Sequence, residues 1–215
     1  MKILDCSFLK WYAVGTKKGG TTIGRNKEFD RENVLHQAML AFWEKGYDAT
    51  SIPDLLQAMG LSRSSLYETF TDKETLYLEA IQHYKKTRLS KRNLLLQATS
   101  AKAGIQQYFE RHIASAYSED LPKGCLVTNA TLNMDSPDEQ LQQLIRDSFV
   151  ELEQAFYELL RKGQQSGEID AKKDIKTLSL LLLNLNHSIS VMSKMKANSD
   201  KQRLKDMINA VIEML

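Results

Sequence analysis

The chain has 215 residues, 42% of them hydrophobic and 26% charged, with a formal net charge of +2 at pH 7. That composition is ordinary for a globular protein, and the length is enough to bury a sizeable core, in two small domains or one large one. The longest apolar run, Leu178 to Leu185, is broken by Ser179 and Asn184 and falls well short of the about 20 apolar residues that cross a bilayer, so no membrane partner is expected.

The opening stretch MKILDCSFLKWYAVG places Asp5 and Lys10 where a secretion signal needs an uninterrupted apolar segment, which argues for a cytoplasmic protein. Residues 13–26, AVGTKKGGTTIGRN, mix glycine, threonine and lysine without apolar period, the composition of a flexible segment, and residues 1–26 are therefore assigned to a flexible basic leader. Charge is uneven: residues 1–28 hold six basic against two acidic side chains, net +4, whereas residues 29–76 hold four against eight, net −4. Cys6 and Cys125 lie far apart, and His36, His83, His112 and His187 are scattered. This spacing predicts neither disulfide nor metal site, and no cofactor is expected.

From residue 27 onward the pattern is all-α, with three prolines in the chain and no sustained period-two alternation. Asp30 is an N-cap for a helix whose Val34, Leu35, Ala38, Met39, Phe42 and Trp43 recur at steps of three and four, and Gly46 ends it. Thr50 or Ser51 caps a short second helix carrying Ile52, Leu55, Leu56 and Met59, with Pro53 in its first turn. Gly60 supplies a tight turn, and Ser62 caps a third helix, RSSLYETF, with Leu66, Tyr67 and Phe70 on its apolar edge. The stretch TDKE at 71–74 predicts a reciprocal capping box between Thr71 and Glu74 at the start of a fourth helix. Further helices are expected at about 101–118, 125–134, 137–166, 172–195 and 200–215, the third of these opened by Ser136 as N-cap in SPDE and fraying from Gly163 to Gly167.

Two short helices joined by a tight turn, the second presenting one arginine and several hydroxyls, suit the major groove of DNA. The groove admits one helix, arginine bonds the guanine edge, and small hydroxyl side chains bond bases or phosphates. On that reading Arg63, Ser64 and Ser65 face bases, while Thr50, Ser51, Tyr67, Thr69 and Lys73 hold the DNA backbone. The competing reading is a capped helical corner with a solvated polar face, and the net negative charge of residues 29–76 favours it because phosphate neutralisation supplies much of DNA affinity.

Residues 27–76, KEFDRENVLHQAMLAFWEKGYDATSIPDLLQAMGLSRSSLYETFTDKETL, resemble the N-terminal domain of the TetR family of bacterial transcriptional regulators. The elements that match are the alanine and phenylalanine of AMLAFWEKGYDATSI, the apolar and glycine pattern of LLQAMGLS, and the SLYETFTDKETL block. The resemblance implies a helix-turn-helix domain over 27–87, with the helix-turn-helix at about 50–69, followed by a helical ligand-binding and dimerisation domain over 88–215. It also implies a homodimer that binds a double-stranded DNA operator and is released by a small-molecule inducer, normally as a repressor. Arg63, Ser64 and Ser65 match base-reading positions of the family, and Thr50, Ser51, Tyr67, Thr69 and Lys73 match backbone-contacting ones. Glu68, where many members carry histidine, and Thr69, where an aromatic is frequent, depart from the pattern, as does the leader.

In the second half, KGCLVTNATLNM at 123–134 resembles the start of a ligand-domain helix in one branch of the family. Cys125 is either a thiol sensor activated near a helix N-terminus or a small buried hydrophobe. Candidate pocket residues are Tyr84, Tyr108, His112, Tyr117, Cys125, Asn129, Asn133, Phe149 and Phe156, a mixed aromatic and polar set. The runs TLSLLLLNLNHSISVM and LKDMINAVIEML are more apolar than one buried stripe needs, which places a homodimer surface in residues 172–215. No phosphate loop, nucleophile elbow or metal spacing is present, so no enzyme activity is expected. The remaining alternative is a helix-turn-helix fold that has lost DNA binding and acts as a protein-interaction module.

Overall fold

The computed structural model describes residues 29–131, 138–195 and 201–215. The basic leader, the pocket candidate Asn133 and the expected N-cap Ser136 lie outside the described residues. The described residues form nine helices: α1 Arg31–Lys45, α2 Ile52–Met59, α3 Arg63–Phe70, α4 Lys73–Gln97, α5 Ala101–Ala116, α6 Leu126–Ala130, α7 Glu139–Ser166, α8 Ile175–Met192 and α9 Lys201–Met214. No helix among them is long and apolar enough to cross a membrane.

The amino-terminal helices start where small polar side chains meet exposed amides. Asp30 accepts from the amides of Glu32 and Asn33, Ser51 accepts from Asp54 N while Asp54 returns the bond, and Ser62 accepts from Ser65 N. Gly60 takes the left-handed conformation, φ 66° and ψ 28°, that turns α2 into α3.

Two starts differ from the sequence pattern. The fourth helix is capped by Asp72, whose carboxylate accepts from Thr75 N at 2.7 Å. Thr71 instead sits at φ 64°, ψ −61°, the centre of a γ-turn closed by Asp72 N–H donating to the Phe70 carbonyl at 2.6 Å. The pivot swings Thr71 off the helix axis and leaves Asp72 over the first turn. The seventh helix is capped by Asp138, which accepts from Gln140 N and Leu141 N. Gly163 does not fray α7. It lies inside the helix, where a Cβ would stand 2.7 Å from Ala101 Cβ, and the helix ends at Gly167 with φ 78°.

Two cores follow. The first gathers Phe42 and Trp43 of α1, Leu55 of α2, Leu66 and Phe70 of α3 and Tyr77 of α4. Leu126, Val127 and Ala130 of α6 and Leu141 and Ile145 of α7 join the same cluster. The second packs α5 against α7, α8 and α9 through Phe109, Ile113, Phe156, Leu160, Ile189 and Ile208. Helix α4 runs unbroken past residue 87, where the sequence reading divides the chain, and contributes to both cores through Tyr84 and Leu95. One continuous helix therefore connects the amino-terminal unit to the carboxy-terminal bundle.

Candidate nucleic-acid interface and ligand cavity

Helix α3 buries Leu66 and Phe70 and leaves Arg63, Ser64, Tyr67 and Glu68 exposed. The Arg63 guanidinium lies 5.9 Å from the Tyr67 ring centroid, a loose cation–π contact that leaves its donors available. Ser62, Ser64 and Ser65 form a hydroxyl cluster with oxygen separations of 2.9 Å at the helix start. Lys73 is half-buried beside this surface, its ammonium 4.2 Å from the Tyr47 ring centroid, and burial holds its pKa below the usual lysine value.

Three of the expected backbone contacts are engaged inside the protein. Thr50 is fully buried, and its hydroxyl donates to the Gly46 carbonyl at 2.5 Å, so its side chain holds the α1–α2 turn and is closed to a phosphate. Ser51 donates its hydroxyl to Asp54 at 2.6 Å, and Asp54 is itself paired with Lys45 at 2.7 Å. The α2 start is thus filled by a carboxylate of the chain itself. Thr69 donates to the Ser65 carbonyl at 2.7 Å, which takes up its hydroxyl proton.

A cavity of about 120 Å³ opens between α4, α5, α7 and α8. Tyr84, Tyr108, His112, Cys125 and Phe149 line it, as the sequence pattern expects, together with Arg88, Lys91, Asn186 and His187. Tyr117, Asn129 and Phe156 do not. Phe156 is fully buried, stacked on Phe109 and edge-on to Tyr108, and supports the cavity from behind.

The cavity floor is a hydrogen-bonded chain. Tyr108 donates to Asn186 Oδ1 at 2.9 Å, His112 Nε2 donates to the Asn186 carbonyl at 2.9 Å, and His112 Nδ1 accepts from Lys91 Nζ at 2.9 Å. That pattern requires a neutral imidazole. Burial and the Lys91 charge accordingly push the His112 pKa well down. Burial and the neighbouring Arg88 charge push Lys91 down to about 7. Cys125 is the N-cap of the short helix α6. Burial alone would raise its thiol pKa, but hydrogen bonds from Tyr84 and Thr128 and the charge of Lys91 outweigh burial and hold it below the usual value. Arg88 ties the first core to α5, with its guanidinium 5.0 Å from the ring centroids of both Trp43 and Tyr84 and bonded to Ser115 Oγ at 2.7 Å.

Residues 101–211, more than half of the chain, match the family profile described as Tetracyclin repressor-like, C-terminal domain, and residues 34–80 match that of Bacterial regulatory proteins, tetR family. The chain belongs to the TetR family of bacterial regulators. Among curated relatives, the HTH-type transcriptional regulator YezE of Bacillus subtilis is 32% identical over 195 residues, covering 90% of this chain and all of the relative. The HTH-type transcriptional repressor ComR of Escherichia coli is 31% identical, covering 83% of this chain and 86% of the relative. Among solved structures, a cysteine-substituted TetR-family regulator CifR in complex with 26-base-pair operator DNA superposes with a TM-score of 0.78 at 30% identity, covering 88% of this chain and 98% of that one. As a TetR-family member, this protein is a DNA-binding transcriptional regulator.

The TetR resemblance did not extend to the cations of the cavity. Arg88, Lys91 and Arg92 stand at i, i+3 and i+4 on α4, a spacing that puts them on one face of the helix without fixing whether that face points inward. Asn186 and His187 carried no such signal, because their place depends on how α8 crosses α5 and α7.

Proposed function

We propose that the protein is a homodimeric repressor whose two α3 helices read half-sites of one operator, and that a small molecule entering the α4–α5–α7–α8 cavity releases it. The observation that carries the proposal is the exposed face of α3, with Arg63 and Ser64 held on a capped, fully packed three-helix unit. Arg63 is the principal base-reading side chain, Ser64 and Ser65 read beside it, and Tyr67 and Lys73 contact the DNA backbone. Thr50 shapes the turn.

The dimer forms through residues 172–215, where Leu180, Leu181, Val191, Met192 and Met195 of α8 and the turn after it are exposed. Release follows from the double membership of α4. A cavity occupant that moves Arg88 moves Trp43 of α1 with it, and so changes the spacing of the two α3 helices. Selection from a pool of random duplexes tests the reading. The wild-type protein is expected to enrich a roughly palindromic site, with half-sites one or more helical turns apart. Absence of enrichment would count against DNA reading by α3 and favour a protein-interaction module.

A further inference from the structure

The cavity wall is rich in hydrogen-bond donors and poor in negative charge. Lys85, Arg88, Lys91 and Arg92 line it, against a single carboxylate among the described residues, Glu151. Glu151 is already shared, paired with Lys85 at 3.2 Å and with Arg92. Neither Arg88 nor Lys91 has a carboxylate partner among the described ion pairs. The Lys91 ammonium instead commits one donor to the neutral His112 ring and lies 5.2 Å from the Tyr108 ring centroid. Arg88 Nε and Arg92 Nε are buried without a hydrogen-bond partner among the described residues, and a guanidinium can only donate. Buried donors of this kind are seldom left unsatisfied. The apolar part of the wall is Leu89, Val127, Phe149 and Leu152, beside Tyr84, Cys125, Ser148, Asn186 and His187. At about 120 Å³ the space is of the order of the roughly 150 Å³ cavity known to take benzene.

Resting on the reading of this cavity as the inducer site, we infer that its ligand is a small organic carboxylate with a compact apolar body, bound with its carboxylate at Arg88 and Lys91 and its body against Phe149 and Leu152. The anion supplies the acceptors and the countercharge that these cations lack. A thiolate at Cys125 would be a rival countercharge for Lys91, since the two groups attract one another. The charged and titratable groups around Lys91 are Tyr84, Lys85, Arg88 and Arg92 on α4, Tyr108, Arg111 and His112 on α5, Cys125 at the start of α6, Glu151 on α7 and His187 on α8. Loss of the Lys91 proton and ionisation of Cys125 both weaken anion binding as pH rises. The sign follows because Lys91 loses its proton through about pH 7 and Cys125 gains negative charge.

Calorimetric titration of the full chain with benzoate, hexanoate, benzamide, hexanamide and inorganic phosphate tests the inference. At least one carboxylate is expected to bind about tenfold or more tighter than its amide at about pH 6.5. Phosphate, lacking the apolar body, should bind more weakly than that carboxylate. The preference should vanish in Lys91→Met and in the milder Lys91→Gln, survive in Cys125→Ser, and decline between about pH 6.5 and 8.5. Amides binding as tightly as carboxylates, phosphate binding as tightly as both, loss of the preference in Cys125→Ser, or no carboxylate binding at all would each overturn it. Anisotropy of labelled operator on the same samples separates the two readings. Carboxylate binding without operator release rejects the inducer role and keeps the anion site, whereas release by amides alone does the reverse.

Discussion

Substituting Lys91 by methionine probes the cost of a charge held in the cavity wall. The unfolded chain titrates lysine near its usual 10.5, whereas the folded chain does so at about 7. Between those values the unfolded state binds more protons, so stability rises with pH and is lost as pH falls toward 7. One pH unit of full difference is worth about 1.4 kcal/mol, which bounds the wild-type gain between about pH 7 and 9 at about 3 kcal/mol. Lys91 is half-buried and solvent at the cavity mouth screens it, so about 1–2 kcal/mol is expected. Methionine has no proton to lose, and the gain should disappear. At pH 7 itself the two proteins should lie within about 1–2 kcal/mol. Relief of the buried charge is offset by a His112 Nδ1 that loses its donor. The depressed Cys125 thiol adds a slope of the same sign, so the comparison belongs in a Cys125→Ser background. Urea denaturation at fixed protomer concentration gives the free energies. A wild-type profile that is flat or falls from pH 7 to 9, or a Lys91→Met protein that keeps the slope, refutes the reasoning.

Three further outcomes are expected. All four histidines are held below their usual pKa, His36, His83, His112 and His187 alike, each chiefly by burial. The unfolded chain therefore takes up protons first as pH falls through about 6.5, and stability measured by denaturation should drop by about 2 kcal/mol or more from about pH 7.5 to 5; a flat profile contradicts this. Asp72→Ala should cost about 1 kcal/mol through loss of the α4 cap, whereas Thr71→Gly should be neutral or stabilising because a β-branched residue leaves a positive φ. The reverse order in thermal melts would restore Thr71 as the cap. Gly163→Ala should destabilise by about 1–3 kcal/mol, since its methyl would meet Ala101 Cβ at 2.7 Å and Ile169 Cδ1 at 2.8 Å. An unchanged urea midpoint would show that α5 and α7 separate freely.

The helical class and the α1–α3 unit were legible because each helix carries its own punctuation: Asp30, Ser51 and Ser62 cap, Gly46 and Gly60 stop, and the apolar residues keep one face. Elsewhere local rules met competitors. TDKE satisfies a capping box on paper, but the γ-turn at Thr71 hands the cap to Asp72. Gly163 looks like a breaker, yet the close crossing of α7 over the start of α5 needs a residue without a side chain. Thr50 carries the same hydroxyl as an exposed phosphate ligand, and only its burial separates the two roles. Of the cavity, the aromatic members were readable by residue type. Its cations lie on a helix whose outward and inward charges look alike until α5, α7 and α8 are packed against it, and Asn129 and Tyr117, outside the cavity lining, belong to the short α6 and to the end of α5.

The central claim, that α3 reads DNA through Arg63, is tested most directly by fluorescence anisotropy of the selected operator and a scrambled duplex, with wild-type protein and Arg63→Ala across a salt series. A wild-type preference for the operator is expected that falls by about 5- to 150-fold in Arg63→Ala, corresponding to about 1–3 kcal/mol, with the salt slope little changed. An unaltered preference in Arg63→Ala, or equal weak binding of both duplexes by the wild type, would contradict it.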